Sequence, residues 1–211
     1  MRILAIETAS EACSVALFDE KRLIANTHAE LGRGHAERLI PMIADLPGKG
    51  RAERIIVSLG PGSFTGVRIG IAAARALGVA WSAQVLGYST LALVAMRAWQ
   101  PSPRDVTVCM NGGHGEWFVQ NFNGSKAQDE LRSLSPDAAK LACCHDVIVG
   151  NRADALAAFF SDESKTALNL LPDASKTNLF CEDQFTTNLT PIYGRAPDAK
   201  PLAIPLGKER A

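Results

Sequence analysis

Several things are scarce in this chain, and each scarcity removes a class of protein. Aromatic residues make up only 6% and charged residues 21%, and the 22 basic residues are matched by 22 acidic ones. With no net charge, no global basic field favours independent nucleic-acid binding, and no basic stripe is interleaved with aromatics as in a direct tRNA binder. Cysteine is sparse and odd in number: Cys13, Cys109, Cys143, Cys144 and Cys181, with no C-x-x-C pair. Neither a disulfide framework nor a zinc site is expected. The four histidines, His28, His35, His114 and His145, are never four residues apart, so the helical pair of a zinc hydrolase is missing. No apolar run approaches the roughly 20 residues of a membrane span, and Ile3–Ile6 is too short for a signal peptide. The expectation is a reduced, cytoplasmic protein, in which the sequons at Asn123 and Asn188 are never glycosylated.

The 211 residues, 47% of them hydrophobic, suffice for one compact unit or two small domains. Ile3–Ile6, Ala12–Phe18 and Leu23–Leu31 read as an antiparallel meander. A helical segment follows, with Leu39, Ile40, Met42, Ile43 and Leu46 on one side and Pro41 expected to kink or shorten it. After the Pro47–Gly50 loop comes the strand Ile55–Leu59, a glycine-rich turn, and a helix from about Thr65 to Ser82. Val85–Gly87 reads as a short strand and Ser89–Trp99 as a helix. Pro101-Ser102-Pro103 is the candidate boundary between halves 1–103 and 104–211. The first half carries 11 basic and 8 acidic residues, and the second 11 and 14.

Beyond the boundary the pattern restarts. Val106–Met110 is a strand, Asn111–Gly115 a polar turn and Trp117–Phe122 a return strand, with a hairpin signal at Asn123-Gly124. Ser135 caps a helix with Pro136 in its first turn, reaching about Ala142. Asp146–Gly150 reads as a strand, Arg152–Phe160 as a helix, Leu168–Leu171 as extended, and a helix could start at Pro172. A strand–turn–strand start recurring after about 100 residues implies two related α/β halves.

The turn Gly60-Pro-Gly-Ser-Phe-Thr-Gly-Val-Arg-Ile-Gly70 has two physical readings. A glycine turn opening a helix can present unpaired N–H groups to a phosphate. Yet the spacing departs from the dinucleotide fingerprint, no acid closes the next strand, and the P-loop Lys-Ser/Thr pair is missing. The other reading is a tight strand-to-helix turn capped by Ser63 or Thr65. The helix that follows has Arg68 and Arg75 on one narrow face, with Gly66, Gly70, Ala73, Ala74, Leu77 and Trp81 opposite. Such a small face lets a second helix approach closely, in this chain or in another. Glu7 and Glu116 sit where a catalytic carboxylate could lie, but neither has a second carboxylate near it in sequence. Ser63 lacks a nucleophile-elbow context.

Taken in order, Ile3–Ser10 with Ala12–Leu17, then His35–Ile43, then Gly60–Gly70, resemble the bacterial TsaB (YeaZ) family in residues and spacing. The likeness is dense over residues 1–100 and resumes at Leu170–Ala174 and Pro191–Pro201. It implies the acetate/sugar kinase–Hsp70–actin fold, an actin-like ATPase architecture of two α/β halves with mixed sheets. It also implies a non-catalytic subunit in the threonylcarbamoylation of adenosine 37 in tRNAs that read codons beginning with A. Its partners would be a TsaD-type transferase and a TsaE-type ATPase, with the adenylate supplied by TsaC-type enzymes. ATP and metal would belong to partner subunits, with no cofactor of this chain's own, and tRNA would be reached only through the complex. TsaD-like proteins carry a His-x-x-x-His metal pair where this chain has Ser89 and Leu93, which cannot supply imidazole nitrogens. The first phosphate turn has Ala9 where a glycine would let phosphate approach.

The chain departs from TsaB itself in having Glu7 where Asp is usual. It also has Asn111–Phe118 where an Asp-Ala-Arg-x-Gly-Glu-x-Tyr motif is usual. The expected partner surface is Gly66, Gly70, Ala73, Ala74, Leu77 and Trp81 with Leu39, Met42 and Ile43, also available for a two-fold homodimer. On that reading Gly70→Leu or Ala73→Glu weakens association with the TsaD-like partner while the monomer still folds. The alternative is an enzyme of the same fold, an ATP-dependent phosphotransferase or a metallopeptidase.

Overall fold

The first strand, β1 (Arg2–Glu7), is central: its flanks are β2 (Ala12–Asp19), antiparallel, and β4 (Arg54–Ser58), parallel. The structure, a computed structural model, describes residues 1–98, 104–160 and 165–194. With β3 (Arg22–Glu30) and β5 (Gln84–Tyr88) the first sheet runs β3-β2-β1-β4-β5. Period-two alternation sends successive residues to opposite faces. Leu4, Ile6, Val15, Leu17, Ile55 and Val57 pack beneath two helices, α1 (His35–Ala44) and α2 (Phe64–Trp81). Ala5, Ala16, Phe18, Ile56, Leu86 and Tyr88 face the other way, onto α3 (Thr90–Arg97). Each fully buried Leu or Ile there contributes about 1.5–3 kcal/mol.

The second sheet repeats the scheme. β6 (Val106–Gly113) pairs antiparallel with β7 (Glu116–Asn123) and parallel with β10 (Val147–Val149), which pairs parallel with β11 (Thr166–Leu168). The order β7-β6-β10-β11 thus matches β2-β1-β4-β5, and both sheets are mixed. The short strands β8 (Lys126–Ala127) and β9 (Arg132–Leu134) flank β7, while α4 (Pro136–Ala142) and α5 (Ala153–Ala157) cover this sheet. This doubling is the actin-like ATPase architecture.

Most elements lie where their patterns place them, with informative differences. The helix α1 continues through Pro41, and Ile40, expected on its apolar side, is 50% exposed. The Asn111–Gly115 turn is tighter than expected, because β6 and β7 extend into it and turn at His114-Gly115. Residues 174–179 form a 3₁₀ segment rather than a helix from Pro172. The Pro101–Pro103 boundary lies outside the described residues, as does Arg195–Pro201 of the terminal motif. From Ala174 onward the described chain packs back on the first lobe. Ala174 N donates to Ser14 Oγ (2.9 Å), and Thr186 forms a reciprocal bridge with Gly87. The 104–211 span is therefore not confined to its own sheet.

Candidate functional site: a cleft between the lobes

Because β1 and β4 are parallel neighbours (Ile6 opposite Val57), the turns that follow them rise side by side at one end of the sheet. The Glu7–Ser10 turn follows β1, and the Leu59–Gly62 turn, with a cis Gly60–Pro61 peptide, leads into α2. They form one wall of a cavity of about 740 Å³. The facing wall is Met110–His114 with Phe118 and Asn151, and Ile192–Gly194 close over it. Both oxygens of Glu11 accept from Asn151 Nδ2 (2.8 and 3.0 Å), and Asn151 Oδ1 accepts from Asn111 N (2.8 Å), tying the lobes across the cleft.

Ser63 caps α2, its Oγ accepting from Gly66 N (3.2 Å). Rather than leaving its amide groups to a ligand, the turn spends three at home, those of Gly60, Ser63 and Gly66. Ser63 N donates to Ala9 O (2.7 Å), and Thr8 Oγ donates to Gly66 O (2.8 Å). The glycines exist for this approach: a Cβ at Gly62 would lie 1.9 Å from Ala9 O, and one at Gly66 2.1 Å from Thr8 O.

That packing corrects the expected partner surface. Gly66, Gly70 and Ala74 are buried against the chain's own β1 turn and sheet, and a Cβ on Gly70 would meet Thr8 Oγ at 2.4 Å. Gly70→Leu is thus a folding defect, not a docking probe. Leu39, Met42 and Ile43 are buried in the same core, while Ala73, Leu77 and Trp81 are half-buried against it. Apolar residues that do reach solvent lie on the opposite faces. They are Ile40, Pro41 and Ala44 on α1, and Ala72, Ala76, Ala80 and the 85% exposed Val79 on the adjoining α2. Sequence periodicity missed them because α2 has small or apolar residues all round.

Glu7 is fully buried at the foot of the cleft. Its Oε1 accepts from Ala9 N (2.7 Å) and its Oε2 lies 3.4 Å from the Tyr88 hydroxyl, which donates to Ile6 O. Burial raises its pKa from 4.5 to about 7, against the opposing pull of the Ala9, Ser58 and Tyr88 hydrogen bonds. Burial, with the Glu7 charge second, pushes the Cys13 thiol up to about 11 and Tyr88 well above its usual range. With its hydrogen bonds met inside the chain, Glu7 holds the turn. Glu116 lies elsewhere, at the start of β7, accepting from Ser133 Oγ (2.7 Å). Ser89 caps α3 and Leu93 is fully buried, so that pair of positions serves packing. Among the described residues no group of three or more His, Cys, Asp or Glu could hold a metal ion, and no helix is long and apolar enough to cross a membrane.

Residues 24–174 match the family model described as "TsaD: tRNA N6-adenosine threonylcarbamoyltransferase". The chain is similar to tRNA threonylcarbamoyladenosine biosynthesis protein TsaB of Escherichia coli K12, 47% identical over 106 residues, which are 47% of this chain and 45% of that protein. It is 33% identical over 168 residues to the protein of the same name from Buchnera aphidicola subsp. Baizongia pistaciae, covering 72% of this chain and 76% of that one. Among solved structures it resembles YeaZ from Pseudomonas aeruginosa, with TM-score 0.67 and 29% identity over 83% of this chain and 87% of that one. The chain spans about half the length of the first curated relatives it matches: 45%, 58% and 44% of them.

Proposed function

The chain belongs to the TsaB (YeaZ) family, and on that premise we propose that it is a non-catalytic, complex-forming subunit for tRNA threonylcarbamoyladenosine synthesis. It acts in the cytoplasm by binding a TsaD-type transferase and a TsaE-type ATPase, and meets tRNA only through them. The observation that carries the non-catalytic reading is the pair of bonds between the two turns. In an actin-like enzyme such turns embrace phosphate; here Ser63 N and Ala9 O, and Thr8 Oγ and Gly66 O, satisfy one another.

The docking face is the outer surface of α1 and α2, centred on Ile40, Ala72, Ala76 and Val79 rather than on the buried glycine face. Exposed apolar residues on adjoining helices bury well against a partner and gain little from water. The same face could pair two copies of this chain when the partner is absent.

Calorimetry with the TsaD-type subunit tests the reading. Wild type should bind, and Val79→Glu should weaken binding by about tenfold or more, as charging the centre of an apolar interface does. Threonylcarbamoyladenosine in tRNA should fall when the protein is depleted from cells. The size of the cleft favours a second reading, an ATP-dependent enzyme of the same fold, since a cavity of this volume suits a small molecule. Titration with ATP and Mg²⁺ separates the two: micromolar binding with turnover by the isolated chain replaces the scaffold reading, and its absence leaves the scaffold.

A further inference from the structure

We propose that residues 186–194 form a detachable strap that gates the cleft, anchored at Thr186 and latched by Arg68 on Tyr193. The segment follows residues 174–185, which already pack on the first lobe, crosses the edge of the first sheet and reaches the second lobe at Gly194. At its start, Thr186 and Gly87 exchange two backbone bonds (2.8 and 3.0 Å) on β5, the edge strand of the first sheet. Along the way Arg75 donates to Leu189 O (3.3 Å) and Ile192 N donates to Leu59 O (2.7 Å). The far end is held by side chains. Arg68 Nη2 and Nε donate to the Tyr193 hydroxyl (2.9 and 3.2 Å), and its guanidinium lies 3.5 Å above the Phe64 ring. Phe64 and Tyr193 rings are 5.3 Å apart.

Gly194 completes the crossing. It lies so close to Phe118 that a Cβ there would fall 2.3 Å from the ring, so at this point the strap meets the second lobe through its backbone. The two arginines of α2 are thus both committed to this segment.

The strength of attachment is uneven, and that unevenness makes the segment a gate. The Thr186 end is a two-bond β-bridge on a sheet edge, whereas the Tyr193 end depends on exposed aromatic and guanidinium contacts. Phe64 is 53% and Tyr193 44% exposed, so these contacts are weak and break singly. Within the described segment, opening therefore starts at the Tyr193 contacts and proceeds back toward Thr186. Ile192, Tyr193 and Gly194 line the cavity together with Met110, whose sulfur accepts from Asn151 N (3.4 Å) on the opposite wall, so their departure widens the approach to that wall.

Met110 is a built-in probe. Its sulfur is oxidised by hydrogen peroxide only where peroxide reaches it. Met42 and Met96 are buried in the two cores and report any global loosening, while half-exposed Met1 sets the unprotected rate. Peroxide treatment of the full chain, read by mass spectrometry of peptides, is compared for wild type, Tyr193→Phe and Tyr193→Ala. Hydrogen exchange at the Ile192 and Thr186 amides is followed in parallel. Tyr193→Phe, losing only the charge-assisted hydrogen bond, should speed Met110 oxidation and Ile192 exchange about fivefold. Tyr193→Ala should speed both by more than that, with Thr186, Met42 and Met96 unchanged. Faster Ile192 exchange without faster Met110 oxidation would show a loose tail that gates nothing. Unchanged rates at both sites would remove the latch, and equal acceleration at Met42 and Met96 would replace gating with general destabilisation.

Discussion

Replacing Glu7 by glutamine isolates the cost of holding a carboxyl inside the first lobe. Glutamine keeps the shape of the protonated acid: its Oε1 still accepts from Ala9 N, and its amide nitrogen stands where the acid's O–H faces Ser58 and Tyr88. In the folded chain burial raises the Glu7 pKa to about 7, while the unfolded chain keeps a value near 4.5. Below pH 4.5 both states are protonated and the carboxyl costs nothing. Between 4.5 and 7 the unfolded state releases its proton first, so stability falls as pH rises. Above 7 both states are ionised and the loss is constant. At about 1.4 kcal/mol per pH unit, that loss reaches about 3 kcal/mol.

Glutamine cannot ionise, so Glu7→Gln should exceed wild type by about 3 kcal/mol at pH 8 and by under about 1 kcal/mol at pH 5. For a chain of this size the pH 8 gap corresponds to a melting point higher by about 6–12 °C. Urea unfolding followed by tryptophan fluorescence at pH 5, 6, 7 and 8 measures it directly. A gap that is the same at pH 5 and pH 8, or a variant no more stable than wild type at pH 8, would refute the reasoning. In either case the buried carboxylate would owe its place to something other than suppressed ionisation.

Three further outcomes follow from the packing. Gly70→Ala should destabilise by about 1–3 kcal/mol in thermal melts, because its Cβ would displace Thr8 Oγ from its bond to Gly66. Val79→Glu, on the outer face of the same helix, should change melting by less than about 0.5 kcal/mol while weakening association with the TsaD-type subunit. Asn151→Ala removes the donor to Glu11 and the acceptor for Asn111 N. It should speed exchange of the Asn111 amide about fivefold or more, leaving the Thr107–Asn121 bond undisturbed.

How much was legible in the chain depended on how local the controlling physics is. Strands such as Ala12–Phe18 and Val106–Met110 declare themselves by β-branched and apolar content, and the cap at Ser135 by its position before a helix. Ser63 is one of two candidate caps in the sequence, and Ser89 proves to cap the helix it was expected to begin. The doubled topology was visible as a repeated strand–turn–strand start. The direction faced by α2 was not visible. Both its sides are small or apolar, and only the proximity of Thr8, 58 residues from Gly66, decides which one turns inward. Likewise Arg68 and Arg75 read as a polar edge, because their partners Tyr193 and Leu189 lie 125 and 114 positions away. Ile40 followed the local rule and still reached solvent, since the side of α1 that is buried is set by the sheet beneath it.

The helix α3 carries a mechanical consequence. From Thr90 to Met96 every residue is buried, and its side chains belong to the same core as Ala5, Phe18 and Tyr88 of one sheet and Val106, Val108 and Phe122 of the other. A motion that swings the lobes apart would have to tear this shared core, whereas a sliding motion need only move methyl groups past one another. Relative movement of the two halves is therefore shear along α3, in small steps between packed arrangements rather than free rotation about a joint. A load applied to one half reaches the other through this rod of eight residues as well as through the Glu11–Asn151 bonds.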